Sequence, residues 1–283
     1  MVWKLSDDVE EFLARAEGFL RADPVANTVP LTVTKAIRAQ GPGLFPKALF
    51  GWWTAGGDVA GTCMWTGAYP VMLSAMPAPA APELAEALAE REAEVPCVNG
   101  TPEAAEAFAA AWTRRTGSPA HVARRARLHR LAGLVLPDPP PDGATRVADG
   151  GDRELVLDWY AAFHRDAGGH GDPNPALVDG RLTEGGIMLW EAGGRPVALA
   201  GRTSAVAGTA RVAPVYTPAG HRRRGYGTAV TAAVTRAAQD SGAAEVVLFT
   251  DLANPTSNGV YHRLGYRPVE DRLVLAFTPP ARP

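Results

Sequence analysis

Two periodicities alternate along this chain. Val9, Phe12, Leu13 and Ala16 fall on one face of a helix predicted over Asp7–Glu17, and a second short helix is expected around Leu31–Ala39. The spacing then shortens to that of strands, with Leu49–Thr54 and Val59–Trp65 reading as a hairpin turned at Gly56-Gly57. Trp52, Trp53 and Trp65 fit the core of that sheet, the alternative being a ligand-stacking wall. Pro70–Met76 is a further strand, and Leu84, Ala85 and Leu88 mark the apolar face of a helix. Cys97-Val98 is a short strand, Pro102–Arg115 a helix and Arg127–Leu136 a strand.

A similar succession returns in the second half. Ala144–Ala148 reads as a strand and Asp152–Asp166 as a helix carrying Leu155, Trp159, Ala162 and Phe163, while Ala167–Asn174 is flexible by composition. Ile187–Glu191 and Pro196–Ala200 are strands joined across Ala192-Gly193-Gly194-Arg195, expected in the antiparallel part of a mixed sheet. Ala210–Tyr216 is a strand broken by Pro218 and Gly220. The helix after Gly227 carries a sheet-facing stripe of Val230, Ala233, Val234, Ala237 and Ala238. Glu245–Thr250 is nearly continuously apolar, as a strand covered on both faces requires.

Between the halves, Leu136–Asp152 is rich in proline and glycine and lacks periodicity, so the chain is expected to divide near residue 140 into domains 1–140 and 141–283. The expected architecture is α/β, a mixed and mostly antiparallel sheet flanked by helices, in two tandem units. The recurring order suggests that the first half is a degenerate duplicate of the second. An unrelated α/β domain of similar element order is the alternative.

Composition narrows the partners. The net charge of -2 gives no nucleic-acid surface, and the 28 basic residues are scattered apart from Arg222–Arg224. Cys63 and Cys97 lie in apolar strand text and read as buried, reduced thiols. Asp7, Asp8, Glu10 and Glu11 precede any apolar run, which excludes a secretory signal there, and no uncharged run reaches membrane-spanning length. A soluble cytoplasmic protein is expected, monomer or homodimer, without a metal.

The candidate chemistry sits in Gly208–Gly227. A strand, a broken loop and a helix start present unpaired backbone N–H groups at a positive helix end, a natural seat for a phosphate or pyrophosphate. Gly225 and Gly227 leave room for the anion where a Cβ would obstruct it, and Arg222, Arg223 and Arg224 add charge. Further on, Asn254 is a helix N-cap with Pro255 in the first turn. Ser257 and Tyr261 follow on the same face as Asn254, so that an amide and a phenol address one elongated ligand.

These two motifs, in this order, resemble those of the GCN5-related N-acetyltransferases (GNAT), with Arg222, Gly225 and Gly227 in the coenzyme loop and Asn254 to Tyr266 in the closing motif. The resemblance covers roughly Val147–Phe277 and is weak before it. It implies the acyl-CoA N-acyltransferase fold, acetyl-CoA as cosubstrate and direct transfer of the acetyl group to a small-molecule or peptide amine. It also implies that the splayed strand at Val215-Tyr216 holds the pantetheine arm and that the main chain from Arg222 through Arg223, Arg224, Gly225, Tyr226 and Gly227 to Thr228 binds the pyrophosphate. Asn254 and Ser257 would reach the arm, and Tyr261 would stand near the sulfur as general acid. The family often uses a glutamate of a central strand as base, which makes Glu191 the candidate, with Glu184 nearby. Its first two helices cover the acceptor, which makes His164, His170 and Asp172 candidates for substrate contact.

The first half has prolines at Pro77, Pro79 and Pro82 where the second has its loop, and proline donates no N–H, so a coenzyme is expected only in the second half. Two other readings stay open. A noncatalytic acyl-CoA sensor would keep the loop without acceptor chemistry. A dinucleotide-binding oxidoreductase fits poorly, because Asp240 and Glu245 flank a helix end where a strand-end carboxylate is needed.

Overall fold

The structure, a computed structural model, describes residues 2–67, 69–166 and 173–279. Its contacts group into two compact units, one of Met1–Leu128, Asp251–Ala253 and Glu270 onward, the other of His129–Thr250 and Asn254–Val269. The division therefore falls at Leu128/His129, and the end of the chain returns to the first unit.

In the first unit the order is β1 (Val2–Ser6), α1 (Val9–Ala22), α2 (Thr28–Gln40), β2 (Leu49–Ala55), β3 (Asp58–Trp65), β4 (Val71–Leu73), α3 (Ala80–Glu90), β5 (Cys97–Gly100), α4 (Pro102–Thr116) and β6 (Ala120–Leu131), whose last residues cross into the second unit. Helix α1 begins where Asp8 caps it, its carboxylate accepting from the N–H groups of Glu10 and Glu11. The expected hairpin forms, with Gly56 and Gly57 at φ +62° and +100°. Trp53 is fully buried with its indole N–H donating to Glu83, so the tryptophans at Trp52 and Trp53 belong to the core. Strands β4 and β5 run parallel, and α3 and α4 press Leu84, Leu88, Phe108 and Trp112 onto them.

The second unit continues with β7 (Ala144–Val147), α5 (Arg153–Asp166), α6 (Pro175–Thr183), β8 (Ile187–Ala192), β9 (Arg195–Arg202), β10 (Thr209–Tyr216), α7 (Tyr226–Asp240), β11 (Glu245–Asp251), α8 (Pro255–Arg263) and β12 (Tyr266–Phe277). Strands β7 to β10 are antiparallel, and β10 turns parallel to β11. One face of this sheet carries Val197, Ala198, Ala200, Ala210 and Val212 against α7. The other packs Ile187, Leu189 and Leu199 against Val156, Tyr160 and Val178 of α5 and α6.

Each series thus reads strand, two helices, three strands, helix, strand, helix, strand. The last strand is shared: from Glu270 on, β12 lies in the first unit, where Leu273–Ala276 pairs antiparallel with Gly100–Cys97 of β5.

Three elements differ from expectation. Strand β1 and helix α6 were not anticipated, although Asn174-Pro175 caps α6 with the same signal that Asn254-Pro255 gives α8. Strand β6 starts at Ala120, seven residues before the predicted Arg127, because His121, Arg124 and Arg125 disguise it as a polar segment.

Candidate functional site

Strand β10 is irregular where it matters. Its parallel register with β11 pairs Thr209–Arg211 with Glu245–Val247, yet β10 runs on to Tyr216 and β11 to Asp251. On its other side the register with β9 shifts between Val212 and Val215, a bulge that contains Pro214, which has no N–H to give a ladder. Past Arg211 the main chain of β10 is therefore open toward β11. Val215 and Tyr216 lie on this stretch, half-buried, with the Tyr216 ring 6.0 Å from that of Trp159.

The loop after β10 leads to the start of α7. Gly225 is the N-cap residue at φ +83° and no side chain caps the helix, so the first N–H groups of α7, from Tyr226, Gly227 and Thr228, are those a helix leaves without internal partners. Arg223 also has positive φ, +62°, which a non-glycine residue adopts at a cost of about 1 kcal/mol or more. Arg223 and Arg224 are exposed and, among the described residues, take part in no ion pair. Arg222 is engaged: its Nε donates to the Thr217 carbonyl at 2.9 Å and its Nη2 to Asp166 at 2.5 Å, tying the loop to the end of α5. The Tyr226 ring is buried in the core with Val230 and Tyr266, which leaves its backbone as its contribution to the loop.

Gly225→Val is expected to weaken acyl-CoA binding more than tenfold, at least about 1.4 kcal/mol. The valine must take φ +83°, and its Cβ would already stand 3.4 Å from the Pro141 ring. A Cβ at Gly227 would meet the Thr217 hydroxyl at 3.1 Å. Wild-type affinity by calorimetry in a folded Gly225→Val protein would remove the loop from recognition.

Helix α8 forms as its sequence dictates. Asn254 accepts from the Ser257 N–H at 3.1 Å and so caps the helix. Tyr261 is half-buried at the rim of the same apolar cluster as Val215 and Val260, and its ring meets the buried Tyr266 edge-on at 6.1 Å. Burial pushes the Tyr261 phenol up to about 12, so it stays protonated at neutral pH. Tyr266 instead hydrogen-bonds Thr235 at 2.7 Å and serves packing.

Other candidates stand elsewhere. Glu191 is on β8 and accepts from Arg146 Nε at 2.8 Å, while Arg146 also pairs with Asp152. A carboxylate paired in this way is poorly placed to take a proton from an amine. Glu184 caps the end of α6 through its backbone. The ring of His164, in the last turn of α5, lies 6.0 Å from that of Phe163. His170 and Asp172 lie outside the described residues. Both thiols are buried and unpaired. Burial raises Cys63 well above its usual range and Cys97 to about 11, so neither is a ready nucleophile. Among the described residues no cluster of side chains suits a metal, and no helix is long and apolar enough to cross a membrane.

Sequence reasoning missed a group beside β10. Arg181 of α6 donates to the Ala213 carbonyl at 2.7 Å and to the Tyr160 hydroxyl at 3.1 Å, with its guanidinium 5.9 Å from the Tyr160 ring centroid. Arg211 projects from β10 nearby. Its place at an alternating position of an apolar strand was the signal available.

Comparison with known proteins completes the picture. Residues 153–266 match the model of the acetyltransferase (GNAT) family. Along most of its length the chain is similar to the solved structure of a GCN5-related N-acetyltransferase from Sphaerobacter thermophilus, at TM-score 0.65 and 16% identity over 99% of this chain and 97% of that one. An acetyltransferase of the GNAT family from Colwellia psychrerythraea aligns at TM-score 0.61 and 13% identity, over 98% and 99%. A tandem GNAT protein from the clavulanic acid biosynthesis pathway aligns at 0.58 and 14%, over 98% of each. At these identities the likeness establishes the fold, a mixed α/β acetyltransferase fold. No curated protein matches the sequence.

Proposed function

Because residues 153–266 match the acetyltransferase (GNAT) family model, we propose that the chain is a member of that family and transfers an acetyl group from acetyl-CoA to a primary amine by direct attack, with all the chemistry in the second unit. The observation that carries this reading is the parting of β10 from β11 after Arg211 beside the uncapped start of α7. An elongated ligand whose arm extends from a pyrophosphate fits such a site. Its phosphates face amides at a positive helix end, and its arm lies along an open strand edge.

Acetyl-CoA would supply the acetyl group as a thioester, whose sulfur leaves as a thiol. The chain's own part is to hold and to protonate. The loop amides from Arg223 to Thr228 bind the phosphates, aided by the exposed Arg223 and Arg224. Arg222 fixes the loop through Asp166 and Thr217. The main chain at Val215-Tyr216 aligns the arm, and Asn254 with Ser257 contacts it from α8. Tyr261, kept neutral by burial, gives its proton to the sulfur as the carbon–sulfur bond breaks, and the proton that the amine loses on attack passes through water to restore the phenol. Glu191 has no part in this scheme, since Arg146 holds it.

The first unit, with the same element order, reads as a duplicate that has lost the coenzyme loop. Its α3 follows Pro77 and Pro79, and Glu83 in its first turn accepts from Trp53, so that end presents a carboxylate where an anion would need donors. Calorimetric titration with acetyl-CoA should show one site per chain, and release of free thiol should require an amine. Two equivalent sites would end the assignment to the second unit. Binding without thiol release for any amine would leave an acyl-CoA sensor.

A further inference from the structure

Arg211 has an unusual setting. It lies on the face of β10 that looks toward α5 and α6, opposite the face where Ala210 and Val212 meet α7. Its Nη1 is shut off from solvent without a hydrogen-bond partner, and so is the hydroxyl of Thr209, two residues earlier on the same face. No described carboxylate pairs with Arg211, whereas Arg127, Arg146, Arg153 and Arg222 each have at least one.

Its charged neighbour is another cation. Arg181 is close enough to act on Arg211 by repulsion, and this together with burial, the larger cause, pulls the Arg211 guanidinium down to about 9. Arg181 is itself held by the Ala213 carbonyl and the Tyr160 hydroxyl through a single nitrogen, Nη1, which leaves the rest of its fork uncommitted. Room for this arrangement comes from Gly201 on β9, where a Cβ would stand 2.7 Å from the Tyr160 hydroxyl and 2.8 Å from the Ala213 carbonyl. Two guanidinium groups near one another, one of them with an N–H shut off from water and without a partner, are costly unless an anion joins them. A planar carboxylate matches the arginine fork.

We infer that the amine acceptor carries a carboxylate, bound by Arg211 and Arg181 on the α5–α6 face of β10. The inference rests on the acetyl-transfer reading for the role of this molecule, because Arg211 lies on the same strand as the bulge that would align the thioester. The acceptor is then an amino acid or a small amino-carboxylate. A polyamine or an aminoglycoside, being cationic, is disfavoured by two arginines.

The test uses the full chain and paired probes: α-, β- and γ-amino acids, each beside its primary amide. Acetyl-CoA binding is measured first by calorimetry. Its failure would remove the acetyl-transfer reading alone, because stabilisation of the protein by each probe is followed separately by melting temperature, with and without CoA. We expect at least one acid to stabilise the protein where its amide does not. Where thiol release occurs, kcat/KM should favour that acid over its amide by at least tenfold.

In Arg211→Gln the stabilisation by the acid should vanish and the preference for the acid should collapse through KM, with CoA affinity unchanged. Arg211→Met, which removes an unpaired buried cation, should melt no lower than wild type when no probe is present. A preference for the amides, stabilisation by none of the acids, or an acid effect intact in both variants would each overturn the inference. So would a large loss of stability in Arg211→Met, which would show Arg211 to be a structural member of the sheet.

Discussion

Ending the chain at Val269 should unfold the first unit, although every residue removed comes from the far end of the sequence. From Glu270 on, β12 pairs with β5 and buries Leu273, Leu275 and Phe277 in the first unit's core beside Val98, Phe108 and Trp112. Full burial of three such side chains contributes about 5–9 kcal/mol. That is of the order of the whole stability of a domain, about 5–15 kcal/mol. Arg272 is lost with them. It is buried, donates to the Leu73 carbonyl at 2.8 Å and to that of Ala26 at 3.2 Å, and forms an ion pair with Glu270.

Hydrogen exchange at the amides of β4 and β5 measures the effect. They should lose protection in the shortened chain and regain part of it when the missing strand is added as a peptide. Unchanged protection would mean that β5 does not depend on β12. A fragment beginning at Pro141 keeps the coenzyme loop but exposes Leu273, Leu275 and Phe277, so it should aggregate unless those three are made polar.

Tyr261→Phe is the second test, and it separates chemistry from packing. The substitution keeps the ring against Tyr266 and the cluster around Val260 and removes only the hydroxyl. CoA affinity should stay within a few-fold and the melting temperature should hardly move. Single-turnover acyl transfer should fall roughly 10- to 1000-fold, the range that overlaps general acid catalysis. Single turnover is the right measure because slow product release can hide a defect in the chemical step. Since burial holds the phenol at about 12, the proton is retained through pH 10. A fall in the chemical rate between pH 8 and 10 would then belong to another group. Undiminished transfer in Tyr261→Phe would take this side chain out of the mechanism and leave water or the departing thiol to manage the proton.

Much of the fold and part of the site were legible in the chain itself, and the residues concerned explain why. Gly56-Gly57, Asp8, Asn254-Pro255 and Gly225 act through backbone sterics and hydrogen bonds that close within a few residues, so their text suffices. The apolar stripe of α7 needs only a sheet to face. Asn174-Pro175 carried the same information for α6 and went unread beside a glycine-rich segment.

Pairing across long separations was decided by the tertiary structure alone. Arg146 meets Glu191 across 45 positions, so the carboxylate that the sequence offered as a base stands in an ion pair that no local pattern states. Arg181 reaches Ala213 across 32 positions, which turns two unremarkable arginines into a candidate anion site. The register of β10 with β11 stops at Arg211 because a bulge and Pro214 follow, and no local pattern states where two strands part. The return of β12 to the first unit likewise depends on which edge its apolar residues can cover, since alternation along a strand specifies a buried face without specifying the neighbour that buries it.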